Sequence, residues 1–131
     1  MDIIQNAVQV VSTGRLIVSG HRHDYVGGSI DERVFAIDGG CSYFRSTGAL
    51  DELIQEGKLL DLRLTDENTV AELADKCIWG TLGPGGHGPH RWVFLKDCET
   101  QHLEYIETNP RISKSRNAAI KLILERRKNA S

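Results

Sequence analysis

The chain has 131 residues, which suits one domain with a single modest core. Apolar residues make up 40% and charged residues 26%, a balance that excludes a largely disordered chain. The formal net charge of −2 argues against binding to a nucleic-acid duplex, because that function needs a broad basic excess. No apolar run approaches the roughly 20 residues of a transmembrane helix. The N-terminal segment also lacks a signal-peptide pattern, so we expect a cytoplasmic protein.

The first half of the chain has the pattern of antiparallel strands. Ser12-Thr13-Gly14 separates two β-branched runs and predicts a hairpin turn, with glycine available for a positive φ. Gly27-Gly28-Ser29 is typical of a polar loop, and Asp38-Gly39-Gly40 of a turn. Four strands are predicted, at residues 7–11, 16–18, 33–37 and 42–45.

A short helix and a fifth strand follow. The helix is predicted over one or two turns before Gly57, which serves as its C-terminal cap. In residues 60–64 leucines alternate with charged residues, so three leucines should face the core. Asp61 and Arg63 should share the opposite face, with Arg63 held by a rigid strand.

The second half is mainly helical. Apolar residues at helical spacing predict a helix over 70–77, capped by Asn68 or Asp66. A strand is predicted at 92–95, after the helix over 70–77. Further helices are predicted over 97–105 and after Ser113. This order predicts an α+β fold in which an antiparallel sheet from 1–65 carries the helices of 66–131 packed on it. We expect a single domain over 1–131.

The stretch 76–98 collects both tryptophans and many of the glycines and prolines. Gly83-Pro84-Gly85-Gly86 lacks the Lys-Ser/Thr of a phosphate-binding loop, so it is better explained as a flexible turn. His87 and His90 could act as acid or base, but neither has a carboxylate nearby in sequence to orient it. We therefore predict no catalytic residue in this stretch.

Metal binding is not expected from the cysteines or histidines. Cys41, Cys77 and Cys98 have no metal-binding spacing and are predicted to be free, buried thiols. The segment 21–24 would place the imidazoles of His21 and His23 on one side of a strand, beside the Asp24 carboxylate. A structural zinc site needs about four ligands, however. We interpret this segment as a second binding site or a subunit contact, formed by His21, Arg22, His23 and Asp24. No metal or cofactor is predicted.

Aromatic faces next to arginines are the strongest indication of a binding site. A tryptophan can stack on a nucleotide base, and an arginine can pair with phosphate through two hydrogen bonds. The predicted ligand-binding residues are Trp79, Arg63, Arg91, Arg111 and Arg116. The alternative is that both tryptophans belong to the core. Residues 126–128 are expected to form only a solvated, frayed basic end.

Four motifs, taken in order and spacing, carry a resemblance to known proteins. They are H-x-H-D-Y at 21–25, D-G-G-x-x-Y-x-R at 38–45, W-G-T-x-G at 79–83 and L-K-D-C-x-T-x-H-L at 95–103. Along nearly its whole length the chain resembles a family of small bacteriophage and prophage proteins. Many members carry Cys-x-x-Cys and Cys-x-Cys pairs, which imply a zinc-ribbon-like staple. Here Val10 and Thr13 stand in place of the first pair, so the resemblance does not extend to zinc.

The chain's size, its strand-rich first half and its combination of tryptophan with arginines are also similar to the phage anti-Thoeris sponge proteins. These sequester cyclic ADP-ribose signals made by bacterial TIR defence enzymes. The resemblance implies a homo-oligomeric, non-catalytic binder of a glycocyclic ADP-ribose type of signal in the infected host's cytoplasm, with cyclic oligonucleotides as a second ligand class. Two alternatives stay open: a phage protein-interaction or structural module, and a small hydrolase of a nucleotide signal.

Overall fold

The computed structural model describes residues 3–19, 25–38, 45–81 and 91–130. The strands in these residues are β1 Ile3–Gln5, β2 Ala7–Val10, β3 Leu16–Val18, β4 Tyr25–Ile30, β5 Arg33–Asp38, β6 Arg45–Gly48, β7 Leu59–Asp61, β8 Leu64–Thr65, β9 Ile78–Thr81 and β10 Arg91–Phe94. The helices are α1 Leu50–Gln55, α2 Val70–Lys76, α3 Thr100–Glu107 and α4 Lys114–Ala130, with a 3₁₀ turn at Leu95–Asp97. All strand pairs in this part of the chain are antiparallel.

The chain divides into two compact units, Met1–Glu67 and Asn68–Ser131. Unit 1 contains β1 to β8 with α1, and unit 2 contains β9, β10 and helices α2 to α4. The α+β class, with strands mainly in the first half and helices mainly in the second, is confirmed. The unit boundary falls close to the predicted change of pattern after residue 65. A single domain for the whole chain stays a prediction.

Unit 1 contains small antiparallel sheets, and strands from two of them contribute to an apolar cluster. One sheet has the order β3-β2-β7 and another the order β4-β5-β6. The predicted hairpin between β2 and β3 is confirmed, with Ala7 opposite Val18 and the Gly14 N–H donating to the Val10 carbonyl at 2.8 Å. The buried cluster of this unit comprises Val8, Ile17, Phe35, Ile37, Leu50, Leu53 and Leu59.

Strand β4 was predicted to be a loop, and that prediction is wrong. Gly27, Gly28 and Ser29 all pair with β5, Gly27 opposite Ala36 and Gly28 opposite Phe35. A Cβ atom at Gly27 would lie 2.0 Å from the Phe35 carbonyl oxygen. Glycine is therefore present because the two strands approach closely, which is a known reason for glycine within a strand. The predicted strand at 42–45 lies outside the described residues except for Arg45, where β6 begins.

The predicted continuous strand at 60–64 is also wrong. β7 ends at Asp61 and pairs with β2, whereas β8 begins at Leu64 and pairs with β1. Leu60 points outward with 46% of its surface exposed, while Leu62 and Leu64 are buried. Arg63 lies in the break between the two strands. The chain changes sheets here, so a single alternating pattern spans two elements whose faces need not agree.

Unit 2 has its own buried residues and well-defined helix starts. The cap of α2 is Thr69, not Asn68 or Asp66, because the Thr69 hydroxyl accepts from the Glu72 N–H and the Glu72 carboxylate accepts from the Thr69 N–H. This is a capping box. The predicted Ser113 cap of α4 is confirmed by an accepted bond from the Arg116 N–H at 3.2 Å. The buried residues include Leu73, Ala74, Ile78, Leu95, Leu103, Ile106, Ala119, Ile120 and Ile123.

Two arginines near the end of α4 form hydrogen bonds to other parts of unit 2. Arg127 donates to the Lys96 and Cys98 carbonyls at 2.9 and 2.6 Å and to the Thr100 hydroxyl at 3.0 Å. Arg126 pairs with Asp75 of α2 at 3.1 Å. The prediction of a frayed end is therefore wrong, because α4 continues to Ala130, and the prediction of a purely solvated end is wrong for Arg127, whereas Arg126 is exposed to solvent. Among the described residues, no helix is long and apolar enough to cross a membrane.

Candidate functional site

The antiparallel pair formed by β9 and β10, called here the β9–β10 ribbon, carries both tryptophans. Val93 lies opposite Trp79, and Trp92 lies opposite Gly80. Because side chains alternate along a strand, the two tryptophans lie on opposite faces of the ribbon. The prediction placed Trp79 at the start of a loop. It stands within a strand, and the strand fixes the face of the ribbon on which its side chain lies.

Trp79 and Arg91 share one face of the β9–β10 ribbon. Arg91 pairs with Thr81, two residues beyond Trp79 on the same strand, so Trp79 and Arg91 are diagonal neighbours. Such neighbours are about 7–8 Å apart, within reach of aromatic and long side chains. Trp79 is partly buried and Arg91 is exposed. Two of the predicted ligand-binding residues are therefore brought together by strand pairing.

The opposite face of the ribbon presents a second aromatic surface. Trp92 is 39% exposed and stands across from Gly80, which has no side chain to cover it. Phe94 lies two residues further along the same face, and the Lys96 Nζ stands 5.0 Å from the centre of its ring. This is a cation–π contact. It was not predicted, although an aromatic residue two positions before a lysine at a strand end is a signal that could have indicated it.

Arg116 and Arg111 lie in unit 2, at and before the start of α4. Burial raises the pKa of the Cys77 thiol, and the positive charge of Arg116 opposes that rise. Arg116 lies in the first turn of α4, a helix that packs against α2. Arg111 is exposed in the connection between α3 and α4, where its N–H donates to the Asn109 side chain at 3.0 Å.

Arg63 belongs to unit 1 and is bound to a carboxylate of its own unit. Its Nε donates to Asp61 Oδ1 at 2.8 Å and its NH2 to Oδ2 at 2.9 Å. These bonds hold the pKa of Arg63 above its usual value, although desolvation acts in the opposite direction. The prediction that a rigid strand holds Arg63 is wrong, because β7 ends at Asp61 and β8 begins at Leu64; its two bonds to Asp61 form outside a strand. The bidentate edge through which Arg63 would hold a phosphate is occupied by Asp61.

The thiols of Cys77 and Cys98 are free and buried, as predicted. Burial raises the pKa of both thiols, so both are neutral near pH 7 and unsuited to act as nucleophiles. In the part of the chain that the structure describes, no group of three or more His, Cys, Asp or Glu could hold a metal ion. The predictions for His21, Arg22, His23, Asp24, Cys41, His87 and His90 lie outside the described residues.

Comparison with known proteins adds no relative. No protein-family model matches the chain, and no curated protein or solved structure does so either. The resemblance to phage proteins therefore stays a prediction. The geometry of the β9–β10 ribbon carries the functional argument.

Proposed function

We propose that the protein binds and sequesters a cyclic nucleotide immune signal of the glycocyclic ADP-ribose type without changing it chemically. In this proposal it is a bacteriophage anti-defence protein that inhibits Thoeris in the host cytoplasm and works as a homo-oligomer. Cyclic oligonucleotides are the second ligand class. The observation that carries the proposal is the shared face of Trp79 and Arg91 on the β9–β10 ribbon.

The two side chains match the two chemical parts of such a ligand. The Trp79 ring would stack on the base, a contact worth ~1–3 kcal/mol. The Arg91 guanidinium would form paired hydrogen bonds to a phosphate, each charge-assisted. Arg116 and Arg111 add positive charge in the same unit. Arg63 is not needed for this arrangement, because Asp61 already neutralises it.

The test is direct titration with cyclic ADP-ribose isomers made by TIR enzymes, and with cyclic di- and trinucleotides, followed by tryptophan fluorescence and calorimetry. Trp79→Ala should weaken binding by roughly tenfold or more, because 1.4 kcal/mol corresponds to a factor of ten. Trp79→Phe should retain most of the affinity, since it keeps an aromatic face. Ligand recovered after heating the complex should be intact.

Trp92→Ala is the matched control, because it removes a tryptophan from the opposite face of the same ribbon. It should leave the affinity unchanged. Arg91→Gln should weaken the binding of phosphate-containing ligands, whereas Arg126→Gln should leave their binding unchanged. Equal losses for Trp79→Ala and Trp92→Ala would show that fold damage, not stacking, causes the effect. Recovery of a cleaved ligand would replace this proposal with a hydrolase.

A protein-interaction module is the second candidate, and the exposure of Trp92 favours it. An exposed tryptophan beside Phe94 is typical of a contact surface, because tryptophan is enriched among interface residues that dominate binding energy. If none of the nucleotides binds and Trp92→Ala abolishes association with a protein captured from infected cells, this second function is the correct one.

A further inference from the structure

Three turns of unit 1 meet around a cleft of about 340 Å³. They are the β2–β3 turn, the β4–β5 turn and the connection from α1 to β7. The cleft is lined by Val11, Ser12, Ile30, Asp31, Gly57 and Lys58. Its volume lies in the range of sites for small molecules, roughly 300–1,000 Å³.

The lining combines an apolar surface with two opposite charges. Val11 is 56% exposed although it is a large apolar residue, and Ile30 adds a second apolar wall. Lys58 donates to the Asp31 carboxylate. Ser12 supplies a hydroxyl, which can donate and accept. These groups together match a ligand that carries both charges and an apolar group.

The Asp31–Lys58 ion pair can open without leaving either charge alone. Asp31 has a second partner in Arg33, at 3.8 Å, and Lys58 has a second partner in Glu56, at 3.6 Å. Arg33 is itself fixed by two bonds to Glu56, at 2.6 and 2.9 Å. The usual obstacle to separating an ion pair, an unpaired charge, is thus absent.

The turn that carries Asp31 is unusual in its backbone. Ile30 pairs with Arg33, so Asp31 and Glu32 alone form the connection between β4 and β5. Both have positive φ, 51° and 64°, as a two-residue hairpin of this type requires; aspartate is among the residues that favour this conformation, whereas glutamate is not. The Asp31 carboxylate is therefore carried into the cleft by a turn that suits aspartate, and the backbone penalty falls on Glu32, which does not line the cleft.

We propose that this cleft binds a free α-amino acid with an apolar side chain. The ligand carboxylate would accept from Lys58 and Ser12, its ammonium would donate to Asp31, and its side chain would lie against Val11 and Ile30. This site goes beyond the nucleotide proposal, because all its residues belong to unit 1 and Trp79 and Arg91 belong to unit 2.

Leucine is the probe, measured by NMR and calorimetry on the full chain. It should bind with a dissociation constant of ~1 mM, as expected for so small a ligand. Two analogues separate the charges: 3-methylbutylamine lacks the carboxylate and 4-methylpentanoate lacks the ammonium. Each should bind at least tenfold more weakly than leucine. The methyl signals of Val11 and Ile30 should shift on titration.

Variants then test the charged contacts. Lys58→Gln and Asp31→Asn should each weaken leucine binding about tenfold, and asparagine suits the positive φ of that position. Glu52→Gln is the matched control, since Glu52 belongs to the same charge cluster but does not line the cleft. The Glu52→Gln variant should bind leucine with the same affinity as the wild type. Absence of leucine binding, equal binding of either analogue, or an unchanged affinity in Lys58→Gln would overturn the proposal.

Discussion

The guanidinium groups of Arg63 and Arg127 both donate hydrogen bonds to other groups of the protein. Asp61 binds Arg63 through two bonds, and backbone carbonyls bind Arg127. The sequence presents both simply as arginines within a charged region. The partner of Arg63 lies two residues away, and the Asp61 carboxylate also accepts from the Arg63 N–H, so a local turn at an aspartate could indicate it. The partners of Arg127 lie about thirty residues away, and only the packing of α4 brings them into contact.

Glu32 carries a backbone cost that a single substitution can remove. At φ 64° a residue with a Cβ atom is disfavoured by roughly 1–2 kcal/mol. Glycine removes this penalty but loses about 0.5–1 kcal/mol of stability through its freedom in the unfolded chain. Glu32→Gly should therefore raise the free energy of unfolding by about 0.5–1 kcal/mol, measured by urea denaturation.

Glu32→Ala is the control for this prediction. Alanine keeps the Cβ atom and the same left-handed penalty, so its stability should stay within about 0.5 kcal/mol of the wild type. A gain of the same size in both variants would show that loss of the Glu32 charge, and not relief of backbone strain, stabilises the protein.

At the scale of elements, α4 is held by contacts of different strength at neighbouring residues. Arg127→Gln should lower the free energy of unfolding by about 1.5–3 kcal/mol, because charged hydrogen bonds to the Lys96 and Cys98 carbonyls are lost. Arg126→Gln should cost less than about 1 kcal/mol, because its pair with Asp75 is exposed to solvent. Urea denaturation of both variants measures the difference. Equal losses would mean that the carbonyl contacts add nothing beyond an exposed ion pair.

Elements with a local cause were predictable from the sequence. The β2–β3 hairpin follows from a glycine at the turn, and the start of α4 from Ser113, whose hydroxyl is three residues from its donor. β4 was missed because Gly27 and Gly28 resemble a loop, whereas Gly27 is required by the nearby backbone of Phe35. The break at Arg63 was missed because β7 and β8 pair with different strands. The residue pattern of 60–64 does not indicate which strands they pair with.

At the scale of the whole molecule, the candidate site was only partly predictable. Tryptophan and arginine chemistry indicated the residue types, but the register of β9 against β10 decides which of them share a face. Trp79 and Arg91 do, and Trp92 does not. The cleft in unit 1 depends on three turns from residues 11 to 58. No local pattern joins residues that far apart, so it could not be found without the fold.

Both units contain titrating groups whose pKa values depend on folding. Hydrogen bonds from Lys58 and Arg33 lower the pKa values of Asp31 and Glu56, and the Thr69 N–H does the same for Glu72. A lowered pKa gives stability that is complete above the unfolded values of 3.8 and 4.5 and is lost as pH falls through the folded ones. Burial raises the pKa values of Cys77 and Cys98. The stability that the two thiols contribute is complete below their unfolded pKa of 9.0. It is lost as pH rises through their folded pKa values.

These groups should therefore make the free energy of unfolding fall below about pH 5 and above about pH 8.5. Glu72→Gln keeps the shape of the capping side chain but cannot titrate, so the acid side should become less steep while the alkaline side stays unchanged. Urea denaturation across pH 3 to pH 10 measures both limbs. Glu67→Gln, at an exposed position before α2, should retain the wild-type acid slope. If Glu72→Gln retains that slope as well, the charge of the capping box contributes nothing to folding, because its loss then has no pH-dependent cost.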